Sequence, residues 1–314
     1  MISEKQKQTL EIMKSNLTSA KDFYKPSDVL WKMYSNDFEW RLMNEGINDV
    51  QSQEFNKTFS LFSPFTAKLH YFHSSMWLLY NNIKKRDKFS LLEKTEALLT
   101  GDANLYFNPS SIIGRQESKA PKNLTWDYLI SLDTILNIAE EFPEIISEPC
   151  VIGEIGAGWG RIGYFLLQIN KKISYNIFDI PHTLLISQEF LRDRVSSNNI
   201  FDYETNNKIE KFDKLLLLNE PGIRFNLSCD IEKYANKSID VFLSVATFQE
   251  MSFDQVNSYF DVIDKKGNYL YIQQRYKDLV MQHSLYPCKD NWNVMFDRDV
   301  TFHPLWFEKM FKIQ

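Results

Sequence analysis

Val151-Ile152-Gly153-Glu154-Ile155-Gly156-Ala157-Gly158-Trp159-Gly160-Arg161 is the stretch on which the reading of this chain turns. A short apolar run leads into glycines spaced Gly156-x-Gly158-x-Gly160, and a helical pattern follows with Ile162, Phe165, Leu166 and Ile169 at i, i+3, i+4 and i+7. Half of the chain's ten glycines lie between Gly153 and Gly163. Glycines at this spacing let the backbone turn sharply and keep side chains out of the way of a ligand at the helix N-terminus. A dinucleotide site places its third glycine one residue later, giving G-x-G-x-x-G, and that position here is Arg161. The spacing therefore favours S-adenosylmethionine (AdoMet) over a dinucleotide.

Alternating strands and helices surround this turn, the pattern of a mainly parallel α/β sheet. Expected strands are Cys150 to Ile155, Ile173 to Phe178, Ile223 to Leu227, Ile239 to Val245 and Asn268 to Gln273, with the last two strands and a short helix in the tail after Trp292. A helix is expected from about Thr183 to Val195, and the polar stretch Ser196 to Asn219 reads as an insertion with its own short helix. Ser252 and Gln255 predict a capping box, with Met251 and Val256 as its hydrophobic staple. Residues 1–147 read as a mostly helical region. Leu10, Met13 and Leu17, then Trp31, Tyr34 and Phe38, then Leu132, Ile135, Leu136 and Ala139 fall at helical spacing. The polar segment Gly101 to Asn123 reads as a connecting loop. The expected division is thus 1–147 helical and 148–314 Rossmann-like.

Composition narrows the function classes. With 314 residues, 44% hydrophobic and 25% charged, the chain is of ordinary globular type. Its formal net charge of −5 speaks against a nucleic-acid surface. No apolar run approaches the length needed to span a bilayer, and the polar N-terminus lacks a signal-peptide core. Cys150, Cys229 and Cys288 match no metal-ligand spacing and read as reduced thiols of a cytoplasmic protein.

In an open α/β sheet, ligands sit at the carboxyl ends of the strands. Strand two ends at Asp179, where a carboxylate can accept hydrogen bonds from both hydroxyls of a ribose. Strand three is followed by Asp230, and strand four by Phe248-Gln249-Glu250-Met251. Gln273, Gln274 and Arg275 end strand five, where polar contact with a hydroxylated acceptor and simple closure of the strand end explain them equally well.

The run Glu154 to Arg161, then Phe178-Asp179-Ile180-Pro181-His182, then Phe248-Gln249-Glu250-Met251 resembles the bacterial family of sugar O-methyltransferases. More distantly it is similar to the small-molecule O-methyltransferases of plants. The likeness covers roughly Pro149 to Tyr276. It implies a class I methyltransferase fold, a Rossmann-like, mainly parallel seven-stranded sheet behind the helical N-terminal region, with AdoMet as cofactor; no metal is expected, because no paired aspartates stand at the end of strand four to hold one. The likeness further implies that Glu154, Gly156, Gly158 and Gly160 surround the methionine part, that Asp179 holds the ribose and that Asp230 meets the adenine, with Ala157 and Ile180 also among the cofactor-binding residues. Trp159 packs either over the cofactor or against the sheet edge, and His182 either helps at the ribose or caps the next helix, the second being the expectation.

One departure from the plant pattern matters. Gln249 stands where a catalytic histidine is expected, and an amide is no general base. Either Glu250 takes the proton or the base comes from another segment. Glu250 is the expectation, with Gln249 as its hydrogen-bonding neighbour, while a plain electrostatic role at the N-terminus of the next helix is the competing reading. His283 and His303 are outside candidates for that base, each expected instead to be a surface or interface histidine. Arg115 and Gln274 are the expected acceptor contacts, and a glycan precursor is the expected acceptor. By analogy with the plant enzymes, residues 1–147 are expected to form an acceptor pocket, a homodimer interface, or both. Two other classes stay open, an NAD-binding oxidoreductase and a non-catalytic relative that keeps the fold as a scaffold.

Overall fold

The structure is a computed structural model that describes residues 2–26, 39–40, 42–44, 69–95, 126–192, 194–195, 200–277, 282–287, 289–301 and 305–314. Trp31, Tyr34, Phe38, the loop from Gly101 to Asn123 with Arg115, Cys288 and His303 lie outside them.

The glycine-flanked run is a strand, β1 (Val151–Ile155), and it feeds α4 (Arg161–Ile169) through the turn. Next come β2 (Ser174–Asp179), α5 (Pro181–Arg192), a two-residue strand β3 (Ile200–Phe201), and the short helices α6 (Tyr203–Asn206) and α7 (Lys214–Asn219). They are followed by β4 (Gly222–Leu227), β5 (Ile239–Val245), α8 (Phe253–Lys266), β6 (Gly267–Arg275), β7 (Trp292–Asp299) and β8 (Trp306–Ile313). Ahead of them stand α1 (Glu4–Thr18), α2 (Leu69–Arg86) and α3 (Trp126–Glu141).

All eight strands join one sheet in the order β3-β4-β2-β1-β5-β6-β8-β7. The six from β3 to β6 pair in parallel, and β8 runs antiparallel between β6 and β7. The expectation was seven strands. The eighth is β3, which lies in the polar insertion and pairs only Ile200 with Ile223 and Phe201 with Arg224. Two residues carry no periodicity to read. Strand order reverses between β1 and β5, because the chain builds outward from β1 to β2 and β4 before crossing back to β5. That reversal opens a crevice beyond the carboxyl ends of both strands.

Every residue of β1, β2 and β4 is buried, which requires cover on both faces of the sheet. Helix α3 contributes to this cover and is buried all round from Tyr128 to Ala139, packing against α2 and α4. Helix α1 buries Leu10, Met13 and Leu17 and packs against α5. Met13 and Leu17 belong, with the apolar residues of α3, to a buried cluster that runs through the sheet to Ile313. Among the described residues no helix is long and apolar enough to cross a membrane.

Local chemistry sets the ends of α8. Ser252 accepts from the Gln255 N–H at 3.3 Å, and the Gln255 side chain accepts from the Ser252 N–H at 3.1 Å. Ser252→Ala is expected to cost about 1 kcal/mol of stability, the usual worth of such a cap, read as a shift in the urea midpoint. No shift would mean that the packing of Val256, Tyr259 and Phe260 alone starts the helix.

Candidate active site

A cavity of about 280 Å³ lies at the switch point. One side is the turn after β1. Gly156, Ala157 and Gly158 are in its wall, and Gly156, Gly158 and Gly160 all adopt left-handed φ angles of 73°, 59° and 86°. A Cβ on Gly158 would meet nothing within 4 Å, so the backbone there faces open space. Gly160 does a different job: it caps α4, and a Cβ on it would approach Leu191 to 2.5 Å. It is a packing glycine and does not line the cavity. Neither does Glu154, which lies inside β1 at 2% exposure and accepts the Tyr175 hydroxyl at 2.6 Å. A side chain within the strand goes to a sheet face, whereas the cavity begins beyond the strand's end.

Asp179, the last residue of β2, is in the wall. One carboxylate oxygen accepts the Gly158 N–H at 3.0 Å, and the other accepts the Ile180 N–H at 2.7 Å and the Thr183 hydroxyl. The carboxylate thereby ties the glycine turn to β2. Burial raises its pKa to about 6, against the pull of those three donors. Ile180 also lines the cavity. Asp230 does not: the chain enters a 3-10 turn at Ser228, which returns the carboxylate to the Leu227 N–H at 2.9 Å and to Lys233 at 2.9 Å. Ser228 reaches the cavity in its place. His182 sits in the first turn of α5, 3.4 Å from Glu39, and is not a wall residue.

The other side is formed by the ends of β5 and β6. Ala246 follows β5 with φ 62°, a left-handed non-glycine at the point where the chain turns into Thr247 to Glu250. The Thr247 hydroxyl donates to the Gly156 carbonyl at 3.0 Å, linking the two sides of the crevice. Gln249 and Glu250 both line the cavity, but they are used differently. The Gln249 side-chain oxygen accepts the Arg275 N–H at 2.9 Å, so the amide latches β6 to the turn. Gln274 completes the latch from the opposite face of β6. Its side chain accepts the Gln249 N–H at 3.2 Å and donates to the Ser244 carbonyl at 3.0 Å. Gln274 is fully buried and outside the wall, which corrects the expectation that it meets an acceptor. Side chains alternate along a strand, and it is Gln273 and Arg275 that face the cavity. Arg161 and Trp306 line it as well. Trp159 is in the wall and packs edge-on against Phe190 of α5 at 4.7 Å between ring centroids.

A wall segment absent from the sequence reading is the turn Lys21 to Pro26 after α1. Phe23, Tyr24, Lys25 and Pro26 line the cavity. The Ser228 hydroxyl donates to the Tyr24 carbonyl at 2.7 Å, Gln255 donates to the Lys25 carbonyl at 3.1 Å, and Glu232 accepts from Lys21 and the Tyr24 hydroxyl at 2.9 Å each. Tyr24 stands edge-on to Tyr259. From α3, Ile130 also reaches the wall.

Three buried acids give the fold a pH dependence. Burial raises Glu154 and Asp133 to about 7 and Asp179 to about 6, while the unfolded chain titrates them near the ordinary 4.5 and 3.8. Between about pH 4 and 7 the folded state holds protons that the unfolded state has released, so stability falls as pH rises. His182, whose pKa burial lowers, opposes this with a single proton. The ligand-free protein is expected to melt at a higher temperature at pH 5 than at pH 8, and Glu154→Gln to flatten the difference. A melting temperature that climbs over this interval would contradict these assignments.

No family model matches the chain, and no curated protein matches it. Solved structures do. The chain is similar to a SAM-dependent methyltransferase from Aquifex aeolicus at 13% identity and a TM-score of 0.36, over 56% of this chain and 88% of that one. It is similar to the magnesium protoporphyrin IX methyltransferase of Synechocystis with bound SAM at 8% identity and a TM-score of 0.41, over 67% of this chain and 94% of that one. It is also similar to a B. subtilis tRNA methyltransferase at 13% identity and a TM-score of 0.36, over 58% of this chain and 65% of that one. At these scores the likeness adds nothing to the strand order, which by itself gives the Rossmann-like arrangement with its antiparallel β8.

Proposed function

We propose that the chain is an AdoMet-dependent O-methyltransferase acting on a hydroxyl of a sugar, in a precursor of a surface polysaccharide. The observation that carries the cofactor is the meeting of Gly156 to Gly158 and Asp179 in one cavity at the switch point. The residues fit the group. The open space at Gly158 leaves the backbone accessible to an amino-acid moiety, and Asp179 places a carboxylate in the cavity wall at the end of β2. The acceptor class rests on the family resemblance alone.

AdoMet supplies a methyl group on a positively charged sulfur, which keeps the bonding electrons and becomes a neutral thioether when an acceptor oxygen takes the methyl. The protein's own work is then alignment and proton removal. Asp179 and the glycine turn hold the cofactor half. Tyr24, Phe23 and Tyr259 close it against water. Glu250, across the cavity, takes the proton of the acceptor hydroxyl, and the Gln249–Gln274 latch fixes the turn that presents it. Residues 1–147 contribute to the acceptor or cofactor wall through Phe23 to Pro26 and Ile130, and a homodimer through the remainder of that region is part of the same proposal.

Asp179→Ala tests the cofactor half. Loss of charge-assisted hydrogen bonds should weaken AdoMet by about 1.5 to 3 kcal/mol, measured by calorimetry on protein shown to be folded. Unchanged affinity would remove Asp179 from the ribose site.

A further inference from the structure

Among the described residues nothing accepts from the buried amide of Gln273. Its side chain is 1% exposed and in the cavity wall, and its Nε2 has no hydrogen-bond partner among the described residues. A buried amide left so is costly, and it calls for an oxygen supplied from outside the fold. Its neighbour Gln274 shows the contrast, with its amide satisfied at both ends by Ser244 and Gln249. Arg275 lies two residues on, on the same face of β6 and about 7 Å further along the strand. Its guanidinium sits over the ring of Trp306, 5.5 Å from the centroid, and Trp306 is both its partner on β8 and a wall residue. The latch from Gln249 holds the Arg275 backbone in place. All three side chains belong to the β5, β6 and β8 half of the crevice, whereas the glycine turn and Asp179 belong to the β1 and β2 half.

We propose that Gln273 and Arg275 form a subsite for an anionic oxygen group, carboxylate or phosphate, on the acceptor, so that the substrate class is an acidic hydroxylated small molecule such as a uronic acid or a sugar phosphate. The inference rests on the methyltransferase reading and names the acceptor for the same site. A guanidinium matches the two oxygens of a carboxylate or phosphate, and the Gln273 amide donates to an oxygen nearer the reacting hydroxyl. Trp306 gives the apolar face of the acceptor a flat surface.

The full chain, saturated with S-adenosylhomocysteine, is titrated calorimetrically with galacturonate, glucose 6-phosphate, and the neutral galactose and glucose. At least one acidic probe is expected to bind about tenfold or more tightly than its neutral counterpart, and which one does so separates carboxylate from phosphate. Arg275→Gln and Gln273→Met should each lose about tenfold of that affinity with S-adenosylhomocysteine binding unchanged. Gln273→Glu, which places a negative charge in the subsite, should lose more, and Arg275→Lys less than Arg275→Gln. Equal binding of acidic and neutral probes, or acidic binding that survives the Arg275 and Gln273 substitutions, overturns the proposal and leaves the methyltransferase reading standing. Weakened S-adenosylhomocysteine binding in Gln273→Met assigns the amide to the cofactor and overturns it too. A parent protein that does not bind S-adenosylhomocysteine ends both.

Discussion

Glu250→Gln is expected to bind AdoMet as the parent does and to turn over at least about a hundredfold more slowly, the lower end of what a positioned base contributes. The substitution keeps size and hydrogen-bonding reach and removes both the basicity and the negative charge. The neighbouring amide cannot compensate, because the Gln249 side chain is engaged with the Arg275 N–H and has no proton-accepting role to spare. The competing account of Glu250 is electrostatic. It stands two residues before the N-cap Ser252 of α8, where a negative charge is worth about 0.3–1 kcal/mol to the helix. The two accounts separate cleanly, since the electrostatic one lowers the melting temperature and leaves turnover intact. Normal turnover in Glu250→Gln would remove the residue from the chemistry.

The second large effect is expected at the glycine turn, where two neighbouring glycines should fail in different ways. Gly156→Ala puts a Cβ 2.2 Å from Thr247 on a residue whose φ is 73°, so both sterics and backbone strain oppose it. Thr247 cannot withdraw freely because its hydroxyl is bonded to the Gly156 carbonyl. The variant should lose about 2 kcal/mol or more of stability and at least about tenfold in AdoMet affinity. Gly158→Ala, with φ 59° and nothing within 4 Å of its Cβ, should lose only the strain, about 1–2 kcal/mol. Its methyl enters the space assigned to the cofactor, so AdoMet affinity should drop by a similar factor in a protein that still folds. Binding that survives Gly158→Ala would place the ligand elsewhere.

The sequence was legible where the signal was local. Strand β5 runs from Ile239 to Val245 as its apolar run indicates, and the Ser252–Gln255 box forms as written. Both depend on neighbours within a few residues. Position within the site was legible only to the extent that strand ends define it: Asp179, Ile180, Gln249 and Glu250 reach the cavity because they end or follow strands at the switch point. Facing was not legible. Gln273, Gln274 and Arg275 are equally polar, and only the register of β6 against β5 and β8 decides that the middle one turns away. Asp230 and Ser228 differ for a similar reason, because a 3-10 turn after β4 presents Ser228 to the cavity and turns the Asp230 carboxylate back onto the backbone. The Tyr24 wall depends on a contact with Ser228 across 204 residues of chain, which no local pattern encodes.

Calorimetric titration of the purified chain with AdoMet, S-adenosylhomocysteine and NAD in parallel tests the cofactor assignment on which the rest depends. The account predicts micromolar binding of the first two and none of NAD. Binding of NAD alone would make the crevice a dinucleotide site. Silence from all three, in protein shown to be folded, would contradict the enzyme reading and leave the fold as a scaffold.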